Sequence, residues 1–180
     1  RSKYRKLLRV AEKRGSDKED LALIRKAYKV SADAHKDVFR RSGEPYIVHP
    51  IEVALIVSEE IGLGPKSIAA ALLHDVVEDS EYTNSQISHM FGSSIAHIVE
   101  GLTKIQGIFD NQSSSMQIEN FRKLLLSISS DVRVILIKMA DRLHNMRTLD
   151  EMPYAKQLKI ASETLYIFAP LAHRMGLYHI

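Results

Sequence analysis

The sequence predicts an all-α fold in a single domain, on three observations. Apolar residues recur at spacings of three and four, as on helices that bury one face. No strand-rich run and no internal repeat interrupts that pattern. The 180 residues are 45% hydrophobic, which is enough for one core at this length.

Taken in order, a first long helix is expected from Asp20 to Phe39, with Leu21, Ile24, Tyr28 and Ala32 on one face. From Arg40 to Pro50 the pattern breaks. Gly43, Pro45 and Pro50 make this stretch a shaped loop, because the residue before each proline is pushed toward extended geometry. A second helix begins near Ile51 and ends by Gly62 and Gly64, and Pro65 sits where helices start. The third runs from Lys66 to Val77. Its Ile68, Ala69, Ala71, Leu72, Leu73, Val76 and Val77 are apolar almost all round, which marks the centre of the fold. Shorter helical pieces follow over Gln86 to Phe91 and Ile95 to Leu102. Gln106 to Gln117, with Gly107, Asn111 and three serines from Ser113 to Ser115, reads as a flexible loop. Helix resumes from Ile118 to Ser127, Asp131 caps a long helix reaching beyond Met146, and a last one spans Pro153 to Ala169 ahead of Pro170.

Composition narrows the function. There is no long uncharged apolar run and no leader with a small-residue cleavage site, so the chain reads as soluble and cytoplasmic. With no cysteine, disulfides and thiolate metal sites are excluded, and any metal must be held by histidine and carboxylate. A net charge of +3 mildly favours an anionic ligand but falls short of a nucleic-acid surface, where aromatics would be more frequent than 7%. The chain starts at Arg1 without a methionine and stops just after an apolar stretch, so it is expected to be a piece of a longer polypeptide.

Three groups of residues carry candidate chemistry. His74, Asp75, Glu78 and Asp79 put four ionisable groups in six positions at the end of the most apolar helix, where a carboxylate needs a partner or a metal. The same residues also fit a charged helix end with a satisfied histidine. Asp141, Asn145 and Thr148, spaced i, i+4, i+7, share one face of an otherwise apolar helix. An Asp–Arg pair between helices, using Arg142, is the competing explanation for Asp141. In the loop, Arg40, Arg41 and Ser42 lie close to Tyr46 and His49, and two arginines beside a tyrosine can bind phosphate and stack on a base. His49, His74, Asp75 and Asp141 together would make a mixed nitrogen and oxygen metal site. The other six histidines, His35, His89, His97, His144, His173 and His179, read as surface or packing residues.

These residues fall into three ordered motifs: Gly-Glu-Pro-Tyr-Ile-x-His-Pro ending at Pro50, His-Asp-x-x-Glu-Asp from His74, and Lys-x-Ala-Asp-Arg-Leu-His-Asn-Met-Arg-Thr from Lys138. They resemble the hydrolase domain of the RelA/SpoT homologue proteins, a helical bundle of the HD type, over about Ala34 to Gly176. The resemblance implies a manganese-dependent guanosine-3′,5′-bis(diphosphate) 3′-pyrophosphohydrolase, which turns (p)ppGpp into GDP or GTP and pyrophosphate in the stringent response. It implies that His49, His74, Asp75 and Asp141 hold one Mn2+ and that Glu78 and Asp79 act on the attacking water. It also implies that Arg40, Arg41, Ser42, Asn145 and Thr148 hold the guanosine and its phosphates. Arg41 stands where many members carry lysine. A covalently linked synthetase domain is implied for the full-length protein, with no membrane and no direct nucleic-acid contact by this domain. An HD phosphohydrolase of another nucleotide and a non-catalytic alarmone sensor are the alternative readings, and the intact Glu78 and Asp79 speak against the second.

Overall fold

The computed structural model describes residues 2–110 and 131–178. Among them it is helical throughout apart from turns and one isolated bridge between Phe39 and Pro45.

α1 spans Ser2–Lys13 and buries only Leu7 and Ala11 among its basic residues. That narrow stripe left no legible pattern, and this helix is absent from the elements expected above. α2 is Lys18–Ala34. It starts before Asp20 because Asp17 caps it, accepting from Asp20 N at 2.9 Å while the Asp20 carboxylate accepts from Asp17 N. It also stops short of Phe39. His35 closes its end, and Asp37 turns the chain with φ 61°, a left-handed conformation that aspartate tolerates.

Residues 38–46 then fold back as a tight turn, with Arg40 N donating to Glu44 O and Gly43 N to Arg40 O, both at 2.9 Å. Gly43 sits at φ 82°, where a side chain would be strained. α3, Val48–Leu55, runs on through a wider π-helical turn at Ile56–Ile61 and ends on left-handed Gly62. His49 and Pro50 therefore lie in the first turn of this helix and not in the loop before it.

α4 is Pro65–Leu72, and α5 is the single turn Val76–Asp79. One helix from Lys66 to Val77 is thus corrected to two, broken at 73–75. His74 explains the break: its Nδ1–H donates to Ala71 O at 2.7 Å, the carbonyl that Asp75 N–H would use in an unbroken helix. Leu73 and Asp75 take bridge-region angles near φ −100°, ψ 0°. α6 is Asn84–Phe91, capped by Thr83 with Gln86, and α7 is Ser93–Asp110. α7 is longer than expected and takes in the first residues of the predicted loop, 106–110. The rest of that loop, and the helix expected from Ile118 to Ser127, lie outside the described residues.

α8 is Val132–Arg147, started by the Asp131 cap, and a short 3-10 turn follows at Leu149–Glu151. α9, Tyr154–Glu163, passes through a second π-helical turn at Thr164–Phe168 into α10, Ala169–Arg174. The last helix was expected to stop before Pro170. The chain continues because the π-helical turn just before Pro170 accommodates a residue with no N–H to donate, as the first turn of a helix does.

The core gathers around α4, whose Ile68 to Leu72 are at most 1% exposed. α4 packs against α2, α3 and α7, and α8 closes the bundle against α3 and α7. Three consecutive alanines, Ala69 to Ala71, let those neighbours come close. A similar close approach occurs at Gly101 of α7, where an added Cβ would lie 2.8 Å from Val134 Cγ2 of α8. Valine has few rotamers with which to yield. Gly101→Ala should therefore lose stability by about 1 kcal/mol, the ~1 to 3 kcal/mol of overpacking exceeding the helix-propensity gain of up to about 1 kcal/mol. Thermal unfolding checks this, and a Tm equal to or above wild type would contradict the tight α7–α8 contact.

Candidate active site

Three segments converge on one buried point. The first turn of α3 brings His49, the turn between α4 and α5 brings His74 and Asp75, and the middle of α8 brings Asp141. His49 Nε2 lies 3.3 Å from Asp141 Oδ1 and 3.7 Å from Asp75 Oδ2. His74 Nε2 lies 3.0 Å from Asp75 Oδ2 and 4.0 Å from Asp141 Oδ1. Donor atoms of His49, His74 and Asp141 all fall within 4.8 Å of one another, and Asp75 borders that group from its less buried side.

The chemistry of these donors fits a divalent cation. Since a carbonyl only accepts, the bond to Ala71 O places a proton on His74 Nδ1 and leaves Nε2 to face the cluster. That Nε2 is buried and makes no hydrogen bond, although carboxylate oxygens stand on two sides of it. An imidazole lone pair aimed at carboxylates needs either a proton or a metal between them. Each carboxylate is also propped from behind. Asp75 Oδ2 accepts from the Tyr46 hydroxyl at 2.6 Å, Asp141 Oδ2 from Lys138 Nζ at 2.8 Å, and Asp141 Oδ1 from Asn145 Nδ2 at 2.8 Å.

Charge balance decides the protonation states. Burial pushes the Asp141 carboxyl up, but the Lys138 ammonium and the hydrogen bond from His49 hold it well below the usual carboxylate range. Asp75 is likewise held low by His74 and His49 against its own burial. Burial also works against a charged His74, yet the Asp75 and Asp141 carboxylates raise it to about 9. His49 is pulled below its ordinary value by burial.

Above the cluster opens a cavity of about 510 Å³. Glu78 and Asp79 line it, as do Arg40, Arg41, Tyr46, Lys138 and Asn145, and α9 contributes Lys156, Lys159 and Glu163. Glu78 reaches solvent at the rim, where partial burial and the Asp75 carboxylate push it up to about 7. Ser42 is exposed and is not among the lining residues. Thr148 stands behind the wall, its Oγ1 accepting from Arg40 Nη1 at 3.2 Å. Arg142 does not pair with Asp141. It turns outward to Glu163 at 2.7 Å, tying α8 to α9, so the Asp–Arg explanation of Asp141 fails.

Several participants had no signal of their own in the sequence. His35 is buried, its ring stacked on Tyr46 at 4.6 Å, with Nε2 3.6 Å from Asp79 Oδ2. His144 is buried with its Nδ1 2.8 Å from His49 Nδ1. Both are packing residues, as expected, but they pack on the site. Burial, then His49 and Arg40, push His144 down to about 3. Lys156 and Lys159 could have been found from their spacing, which puts both on one side of α9.

Comparison with known proteins agrees with this geometry. The chain is 49% identical over 151 residues to the Haemophilus influenzae protein named guanosine-3′,5′-bis(diphosphate) 3′-pyrophosphohydrolase, covering 84% of this chain and 22% of that protein. It is 47% identical over 162 residues to the Escherichia coli K12 bifunctional (p)ppGpp synthase/hydrolase SpoT, covering 90% and 23%. A Myxococcus xanthus GTP pyrophosphokinase is 50% identical over 161 residues, covering 88% and 21%. The chain thus spans less than a quarter of the length of these relatives. Among solved structures, one described as a metazoan orthologue of SpoT that hydrolyses ppGpp has the same fold, with a TM-score of 0.60 at 23% identity over 87% of this chain and 97% of that one. Residues 27–178, which hold every ligand candidate above, match the HD domain model, and the chain belongs to that family.

Proposed function

We propose that this chain hydrolyses the 3′-pyrophosphate of (p)ppGpp, giving GDP or GTP and pyrophosphate, with manganese held by His49, His74, Asp75 and Asp141. The observation that carries the reading is the meeting of two imidazole nitrogens and two carboxylates at the floor of a cavity whose walls carry arginines and lysines. Relatives named for this reaction match 84 to 90% of the chain and support the choice of substrate.

A divalent cation at the floor supplies positive charge that acidifies water and offsets phosphate charge. The protein's own groups do the rest. Glu78, pushed up to about 7 by burial and the Asp75 carboxylate, takes the proton of the attacking water, and Asp79 beside it helps orient that water. Water adds to the phosphorus that carries the 3′ oxygen. The P–O3′ bond breaks, O3′ takes up a proton, and pyrophosphate leaves whole. Arg40, Arg41, Lys156 and Lys159 face the phosphates from the walls, and Asn145 and Thr148 steady Asp141 and Arg40. Ser42 belongs to this set through the loop it shares with Arg40 and Arg41. In the full-length protein this domain would be joined to a synthetase domain and work in the cytoplasm. No described helix is long and apolar enough to cross a membrane.

Four outcomes test this reading. Chelation should abolish ppGpp hydrolysis and manganese restore it. Because His74 is protonated below about pH 9 without metal, manganese affinity should rise about tenfold per pH unit from 7 and level off near 9. Calorimetry in buffers of different ionisation heat measures the displaced proton, and a flat affinity profile would exclude His74 as a ligand. Asp75→Ala and Asp141→Ala should lose manganese by elemental analysis. Glu78→Gln should keep it and lose turnover by about 10²- to 10⁴-fold, and equal metal loss in all three would place Glu78 among the ligands. Arg40→Lys keeps the charge but not the planar fork held by Thr148, and should raise KM several-fold at unchanged metal content. Full affinity in that variant would reduce the loop to an electrostatic patch.

A further inference from the structure

We propose that His144 is a positioning residue for the metal site: its Nδ1 accepts a hydrogen bond from His49 Nδ1–H and so presents the His49 Nε2 lone pair to the cation. The inference rests on reading His49 as a ligand.

The two ligand histidines are oriented by different means. His74 donates Nδ1–H to a backbone carbonyl, Ala71 O, which cannot donate in return, so its tautomer is built into the fold. His49 has no such carbonyl. Its Nδ1 faces the Nδ1 of another imidazole at 2.8 Å, a distance at which one of the two nitrogens must carry the proton and the other the lone pair. Its Nε2 faces Asp141 Oδ1 at 3.3 Å and Asp75 Oδ2 at 3.7 Å.

Two arrangements therefore suit the same heavy atoms. When Nε2 of His49 carries a proton toward Asp141, His144 donates to His49 Nδ1. When Nε2 binds a cation, the proton between the two rings resides on His49 and His144 accepts. The second arrangement requires a residue at 144 that can accept there. The rings are tilted by 49° with centroids 4.8 Å apart, and His144 is 7% exposed, so water has little room to take over. The fold also fixes His144 from outside, since its carbonyl accepts from Thr148 Oγ1 at 3.1 Å.

His144 lies three residues after Asp141 and one before Asn145, so α8 delivers one ligand together with the groups that orient two. No other described side chain reaches His49 Nδ1 with a hydrogen bond.

The test measures manganese affinity by calorimetry on the wild-type chain and three variants. In His144→Asn the Oδ1 atom falls close to the place of Nδ1 and can accept, whereas His144→Leu and His144→Ala cannot. The Asn variant should bind manganese within about threefold of wild type, and the Leu and Ala variants about 10- to 100-fold more weakly. Thermal unfolding in chelator reports whether each is folded, and hydrolysis at saturating manganese should recover in the weak binders. Wild-type affinity in either Leu or Ala would overturn the proposal. Asn binding as weakly as Leu would overturn the acceptor role. If wild type itself binds no manganese, the metal-site reading falls, an outcome distinct from failure of His144 alone.

Discussion

Two carboxylates and two imidazoles, each imidazole Nε2 within 4.0 Å of both carboxylates and almost out of water, form the constraint on which the rest of this structure depends. Unpaired, each charge at such a depth costs several kcal/mol. The protein meets that cost with hydrogen-bond partners on every side: Tyr46 donates to Asp75, Lys138 and Asn145 donate to Asp141, and the Ala71 carbonyl accepts from His74. The break in α4 follows from the same need. A continuous helix would set His74 and Asp75 about 100° apart around one axis. The turn instead lets both face the cluster, and the His74 ring takes over the carbonyl that the helix gives up. The most apolar helix of the chain ends where the most polar cluster begins because that cluster needs the surrounding core to keep its geometry.

How much of this could be read from the sequence depends on whether the signal was local. Helices with a wide apolar face, such as α4 and α8, are legible because burial repeats along the segment itself. α1 is not, since its two buried residues are set among charges and acquire meaning only against α2 and α3. Nor was the break at 73–75, because apolar residues continue through Val76 and Val77 while the cause is a side-chain-to-backbone bond. At the site, the motif residues His49, His74, Asp75, Glu78, Asp79 and Asp141 stood out through their clustering with other ionisable groups. His35 and His144 did not. Each is a lone histidine in its own segment and becomes part of the site only through a partner, Asp79 or His49, 44 or 95 residues away in sequence.

The cavity carries charges of both signs. At its floor stand Asp75 and Asp141, with the exposed Glu78 and Asp79 nearer the rim, and these carboxylates repel an anion unless a cation lies among them. Its walls carry Arg40, Arg41, Lys156 and Lys159, which attract one. On the proposed reading, a phosphate-bearing ligand would gain from the basic side chains in any case but reach the floor only with a cation in place, and the metal would then serve substrate recognition as well as chemistry.

The loop and the metal site are mechanically joined. Arg40 donates to Thr148 Oγ1, Thr148 donates to the His144 carbonyl, and the His144 ring meets His49. These three contacts run from an arginine that lines the cavity to a candidate metal ligand, all through the end of α8. Arg40 is consequently fixed before any ligand arrives: its side chain is 12% exposed, and Glu151 stands 4.0 Å from it on the side of the 3-10 turn. Arg41, one residue on, is exposed. A guanidinium already held in place loses little conformational freedom when it meets a phosphate or a base, whereas a free one must be ordered first. If both meet the ligand as proposed, two adjacent arginines of equal charge would therefore contribute unequally, Arg40 supplying direction and Arg41 mainly attraction.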